Sequence, residues 1–219
     1  MRTQLTTVVL LAAIGGSMYA AEKTRVDVYR SNRDDSSELL GPGKIVASGI
    51  FEKVGVHLNW RAGELPATQS AAGNGALQKA FGIRTLEHAP ESATADALAS
   101  ARIVGSSGTE ITVYKDRLQR FLDNHRYLAG VAGVGAGYVV VHELAHVMQG
   151  VARHSESGVL KAQWSHYDFQ EMVFHRLAFT NFDVELIHQG LALQLANGRS
   201  ALTAEAEIES TAGLDLSKR

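Results

Sequence analysis

Polar and apolar residues alternate along Thr24 to Tyr29 (TRVDVY), the pattern of a strand with one buried face. A polar run, SNRDDSSE, follows it. Gly41, Pro42 and Gly43 then punctuate the entry to a segment in which Ile45, Val46, Ile50, Phe51 and Val54 recur at helical spacing, and Gly55 is placed to close that helix. Val56, Leu58 and Trp60 on alternate positions predict the next strand. Residues 61–78, rich in Gly, Ala and small polar residues, predict a loop. FGIRTLEH (81–88) reads as a strand, and ALASARIVG (97–105) reads as a strand or equally as a helix. EITVYKD (110–116) is a clearer strand, with the helix DRLQRFLDNH (116–125) behind it.

The segment LAGVAGVGAGYVVV (128–141) carries no charge and has glycine at 130, 133, 135 and 137. It is not a dinucleotide fingerprint, because Tyr138 stands where the third glycine would fall. Each glycine costs a helix about 1 kcal/mol relative to alanine. Either the helix starts near Gly137, or close backbone packing against a sheet or a second helix compensates; the active-site helix is expected over about 137–149. DFQEMVFHRLAF (168–179) and DVELIHQGLALQLANG (183–198) predict two more helices, the last ended by Asn197 and Gly198. From about residue 199 the chain is polar and reads as a mobile tail. Strands and helices in this order predict a single α+β domain over 21–219, with a small twisted sheet packed on helices.

Composition narrows the partners. With 45% hydrophobic residues in 219, the chain can bury a substantial core. Its 21 Lys plus Arg against 23 Asp plus Glu leave a formal charge of -2, which gives no reason to expect nucleic acid or an anionic membrane as partner. The absence of cysteine excludes disulfides, thiolate metal ligands and a cysteine nucleophile. Arg2, the apolar run Val8 to Ile14 and small residues through Ala20 and Ala21 read as an export signal over 1–20. That run is too short to span a bilayer. The expectation is a secreted or periplasmic protein without stable membrane insertion once the signal is removed.

Candidate chemistry concentrates in HELAHVMQGVARH (142–154). Positions i and i+4 of a helix lie about 40° apart around the axis, with Cβ atoms roughly 5–6 Å from each other, so His142 and His146 can serve one metal ion. Glu143 projects about 100° further round, poorly placed to ligate but well placed to hold a water. In that arrangement zinc acidifies water and polarises a carbonyl, while the carboxylate takes a proton and passes it to the leaving amine. A merely solvated face fits poorly, because Val139 to Val141, Leu144, Ala145, Val147 and Met148 leave little polar face besides the motif. A catalytic zinc site takes three protein ligands and one open position. Gly150 can end the helix in a left-handed turn and return His154 to the metal, with Glu171 or Glu185 on a later helix as alternative third ligands.

The stretch resembles the metzincins, zinc peptidases with the pattern H-E-x-x-H-x-x-G-x-x-H. Here the two intervals to the glycine and to the third histidine are four residues instead of three. Ser155 follows His154, as in matrix-type members, and Leu160 stands where the family's methionine turn is expected. The block is also similar to short exported bacterial proteins with a HExxH, Gly, His-Ser, Gly-Val-Met order, regarded as metallopeptidases. The resemblance implies a metzincin-like fold, Zn2+ held by His142, His146 and His154, Glu143 as general base, and a peptide or protein substrate. Tyr167 is a candidate oxyanion donor, and Trp164 a residue under the site or along its wall. His57, His88, His125, His166, His175 and His188 are scattered and read as surface or hydrogen-bonded histidines. Two further readings remain open: a non-catalytic exported protein with a structural zinc site, and a zinc amidase acting on a non-peptide or cell-wall amide.

Overall fold

The computed structural model describes residues 23–31, 37–66, 79–94, 97–104, 108–124 and 131–196. The expected export signal, His125, the helix stop at Asn197 and Gly198, and the polar tail lie outside these residues. Five strands form one mixed sheet: β1 (Thr24–Arg30), β2 (Val56–Ala62), β3 (Lys79–Leu86), β4 (Ala99–Val104) and β5 (Gly108–Tyr114). Their order is β2-β1-β3-β5-β4. All neighbours pair in parallel except β4, which runs antiparallel to β5 and ends the sheet. With helices α1 (Ser37–Lys53), α2 (Lys115–Asp123), α3 (Val131–Gln149), α4 (His166–Val173) and α5 (181–196), the architecture is α+β.

The register explains which face is covered. Leu58, Val26 and, two residues on, Val28 and Phe81 stand beside one another across the strands, followed by Ile83 beside Ile111 and Val113 beside Ala99. These residues are buried under α1 and α3, which contribute Val46, Ile50, Phe51, Val140 and Leu144 to the same core. Alternate positions put polar side chains on the opposite face. There, among the described residues, cross-strand pairs line the face: Asn59 donates to Asp27 at 2.6 Å, and Arg84 and Arg102 both bond Glu110, at 3.1 and 2.7 Å.

Helix α1 starts at Ser37, so Gly41, Pro42 and Gly43 lie inside it and do not mark its start. Pro42 forfeits a single hydrogen bond to the carbonyl four residues back. Gly43 lets two helices touch, since a Cβ there would stand 3.3 Å from the Cα of Gly137. Ile45, expected on the buried face, is 78% exposed. Helix α3 spans Val131–Gln149 and so begins six residues before the expected start near Gly137. Close packing is the alternative that holds: a Cβ on Gly137 would meet Val46 Cβ at 2.6 Å, and one on Gly135 would meet Leu122 Cδ2 at 2.8 Å. Of the segment 97–105, the described residues 97–104 contribute a strand, β4, and no helix.

Helix α4 stops at Val173, short of the expected 179, and His175 adopts a left-handed conformation with φ 54°. The break turns the chain so that Leu177 and Phe179 reach the core. The N-terminus of α4 is closed by a capping box, in which Ser165 accepts from the Asp168 backbone and Asp168 accepts from the Ser165 backbone at 2.7 Å. Lys161 also donates to Asp168. Burial alone would push the Asp168 carboxyl up, but the bonds from Lys161 and Ser165 together hold it below the usual carboxylate range. No helix among the described residues is long and apolar enough to cross a membrane.

Two outcomes follow from this packing. Gly137→Ala adds a methyl against the β-branched Val46, and the overpacking outweighs the gain in helix propensity; a net loss of about 1–2 kcal/mol is expected in urea denaturation. Asp168→Asn tests the cap through pH. A carboxyl whose folded pKa lies below its unfolded value of about 3.9 stabilises fully above that value, and the contribution fades as pH falls through the folded pKa. The stability gap between wild type and Asp168→Asn is therefore full at neutral pH and narrows below about pH 4; a gap independent of pH rejects the assignment.

Candidate metal centre

Helix α3 is buried for most of its length, with Tyr138, Val141, Leu144, Ala145 and Met148 fully enclosed. His142 and His146 sit one turn apart on its remaining side, both partly buried, with Nε2 atoms 3.0 Å apart. That spacing is comparable with two nitrogens held about 2 Å from one ion. The His142 Nδ1 faces the carbonyl oxygen of Val159 at 3.0 Å. A carbonyl only accepts, so Nδ1 carries the proton and Nε2 keeps its lone pair for a ligand.

Gly150 ends α3 with φ 71°, its N–H bonded to the carbonyls of His146 and Val147 at 3.0 and 3.3 Å. This is the left-handed turn expected from the sequence. Gln194 on α5 donates to the carbonyls of Val147 and Met148 at 2.9 and 3.1 Å, closing the helix end. The chain then doubles back, and the exposed His154 brings its ring centroid to 5.4 Å from that of His142 and 5.0 Å from that of His146. The three side chains each offer one nitrogen, and those nitrogens all lie within 4.8 Å of one another. Among the described residues no Asp or Glu joins this group. The alternative third ligands are engaged elsewhere: Glu171 pairs with Arg176 at 2.6 Å, and the exposed Glu185 accepts from Gln189 at 2.9 Å.

Below the histidines the segment 155–161 forms a tight turn. Ser155 N–H donates to Leu160 O at 2.7 Å, and Val159 N–H donates to Ala178 O at 3.0 Å. Gly158 takes φ 78°, and a Cβ on it would meet Ala178 O at 2.4 Å, so no other residue fits. The turn buries Val159 and Leu160 completely. Trp164 donates to the same Val159 carbonyl at 3.1 Å and stands edge-on to His142 with ring centroids 5.5 Å apart. The sequence offered it a place under the site or along its wall, and its ring stands against His142. Tyr167, by contrast, is 66% exposed on α4.

Electrostatics favour neutral imidazoles. Burial lowers the His142 pKa to about 4, opposed by the Val159 bond and reinforced by the neighbouring histidines. Burial and His154 lower that of His146 as well. Neutral, lone-pair-bearing imidazoles are the form that coordinates a transition metal, so the donor set fits such an ion. Burial pushes the Glu143 carboxyl up to about 7, into the range where a side chain both takes and gives a proton at neutral pH. A cleft of about 470 Å³ opens beside His146, between Ala101 and Ile103 of the edge strand β4 and Val151 and Gln194 across from them.

His57, His88, His166, His175 and His188 stand outside the cluster. Each of His57, His88, His166 and His188 faces a local partner, for example His188 with the Val54 carbonyl at 2.8 Å. Two contributors were not expected from the sequence. The Val159 carbonyl gave no signal, because a backbone atom has none. A buried network around Asp183 could have been read from Thr180-x-x-Asp183, a capping-box spacing, though only as a helix start.

Comparison with known proteins gives little beyond this geometry. No family model and no curated protein matches the chain. Among solved structures, a chain from "GM1 bound form of the ECX AB5 holotoxin" aligns over 80% of this chain and 82% of its own length, at 9% identity and a TM-score of 0.40.

Proposed function

We propose that the chain is an exported zinc-dependent metallopeptidase of metzincin-like type, hydrolysing peptide bonds with Glu143 as general base. The observation that carries this reading is the convergence of His142, His146 and His154, with Glu143 on the same helix and an open cleft alongside. Three imidazoles without a fourth His, Asp or Glu among the described residues leave a coordination position free, which favours a catalytic over a closed structural site. Zinc bound there would acidify water and polarise a carbonyl.

The chain's own residues do the rest. His142, His146 and His154 would hold the ion, and the Val159 carbonyl fixes the ring of His142. Glu143 accepts the proton of the attacking water and returns it to the leaving amine, a task suited to a carboxyl poised near neutrality. Strand β4 ends the sheet beside the cleft, so its outer edge offers backbone donors and acceptors to an extended peptide. A strand-like substrate would take its main-chain hydrogen bonds there and lay side chains into the cleft.

Two measurements test the proposal. Metal analysis of the purified chain should find one zinc per wild-type molecule and a loss in His154→Ala; equal zinc in both removes His154 from the site. Glu143→Gln should keep its zinc and lose peptide hydrolysis by roughly 10²–10⁴-fold, scored on a peptide library alongside cell-wall fragments. Undiminished turnover in that variant excludes the mechanism, and cleavage of cell-wall fragments alone moves the substrate to a non-peptide amide.

A further inference from the structure

Asp183 is fully buried in the first turn of α5, and its two carboxylate oxygens have different tasks. One, Oδ2, accepts from the backbone and hydroxyl of Thr180 at 3.0 and 2.7 Å, completing a capping box with the 3.1 Å bond from the Asp183 N–H to Thr180. A helix cap needs only that oxygen. The other, Oδ1, accepts from Ser155 Oγ at 2.5 Å and from Arg153 Nη1 at 3.0 Å. These are the two neighbours of His154 in the chain. The Asp183 carbonyl also accepts from Gln149 at 3.2 Å, immediately before the Gly150 turn. Arg153 in addition lies over the ring of Phe182, 4.7 Å from its centroid.

His154 is the one exposed member of the triad, and it sits on irregular chain where α3 no longer fixes its position. Its backbone therefore depends on what holds residues 153 and 155. Burial by itself would push the Asp183 carboxyl up, yet bonds from Ser155, Thr180 and Arg153 together hold it below the usual range, so it stays an acceptor at neutral pH. Ionised, it offers one oxygen, Oδ1, to both chain neighbours of His154 through charge-assisted bonds, the stronger kind.

We infer that Asp183 is the positioning residue for His154: by binding both chain neighbours of the third imidazole, it sets how tightly the triad closes on a divalent cation. The inference rests on the reading of the triad as a zinc site, and it extends that site to a helix 29 residues beyond His154, counted as 183 minus 154.

The test is Zn2+ affinity of the full chain, by competition with a chromophoric chelator, across five variants. Asp183→Asn and Ser155→Ala should each weaken binding roughly 10–100-fold, the usual effect of losing a group that orients a ligand. Thr180→Ala, which removes one bond to Oδ2 and leaves both Oδ1 bonds in place, should lower the thermal midpoint and weaken binding less than either anchor variant. The double variant Asp183→Asn/His154→Ala should bind no more weakly than His154→Ala, because the anchor acts through that ring. Hydrogen exchange of the metal-free protein should accelerate at residues 150–155 in Asp183→Asn and Ser155→Ala, and not in Thr180→Ala. If Asp183→Asn fails to fold, Ser155→Ala carries the measurement with the cap intact. Wild-type affinity in both anchor variants beside a weakened His154→Ala overturns the inference alone, as does full additivity in the double variant. Wild-type affinity in His154→Ala removes His154 from the site and with it the three-histidine reading on which the inference rests.

Discussion

A helix that is apolar on nearly every side has to be enclosed, and the whole structure is arranged around enclosing α3. The sheet lies under it, α1 crosses it at Gly43 and Gly137, and α5 seals its C-terminal carbonyls through Gln194. Two imidazoles and a carboxylate on such a helix are held where water is scarce. Desolvation then dictates their chemistry: the histidines stay neutral and the glutamate moves toward neutrality. The same burial that stabilises the fold leaves these groups with lone pairs and no solvent to satisfy them. A cation shared between His142, His146 and His154 would answer that requirement for the imidazoles.

Much of this arrangement was legible along the chain because it rests on periodicity and on glycine. Alternation marked β1, β2 and β5, and the i, i+4 histidines needed only a helix beneath them. Gly150 announced its own left-handed turn. The failures share a cause: tertiary contacts overrode local punctuation. Gly41, Pro42 and Gly43 look like a helix boundary from sequence, yet the helix runs through them because the lack of a side chain at Gly43 permits contact with Gly137. His175 breaks a continuous helical pattern because Leu177 and Phe179 are needed in the core. Of the site, the three histidines were legible and are brought together. Their supports were not, since the Val159 carbonyl and the second oxygen of Asp183 act through geometry that no spacing encodes.

The polar outer face of the sheet bears on how much fold the site needs. Parallel strands are usually covered on both sides. Here one face is covered by helices, and the other is closed by Asp27, Glu110 and the arginines between strands. Among the described residues α1 and α3 lie together on the covered side, and the three histidines sit on α3 and the turn that follows it.

His154 stands four residues after Gly150 and four before Gly158, both held at positive φ. The first glycine is tied to the end of α3, and the second is pressed against the Ala178 carbonyl. A segment clamped at both ends in this way has its contour length set in advance, while the side chains between the clamps answer only to their own neighbours. Substitution is thus open to the exposed Glu156, whereas adding or removing a single peptide unit would swing the ring of His154 out of the cluster altogether.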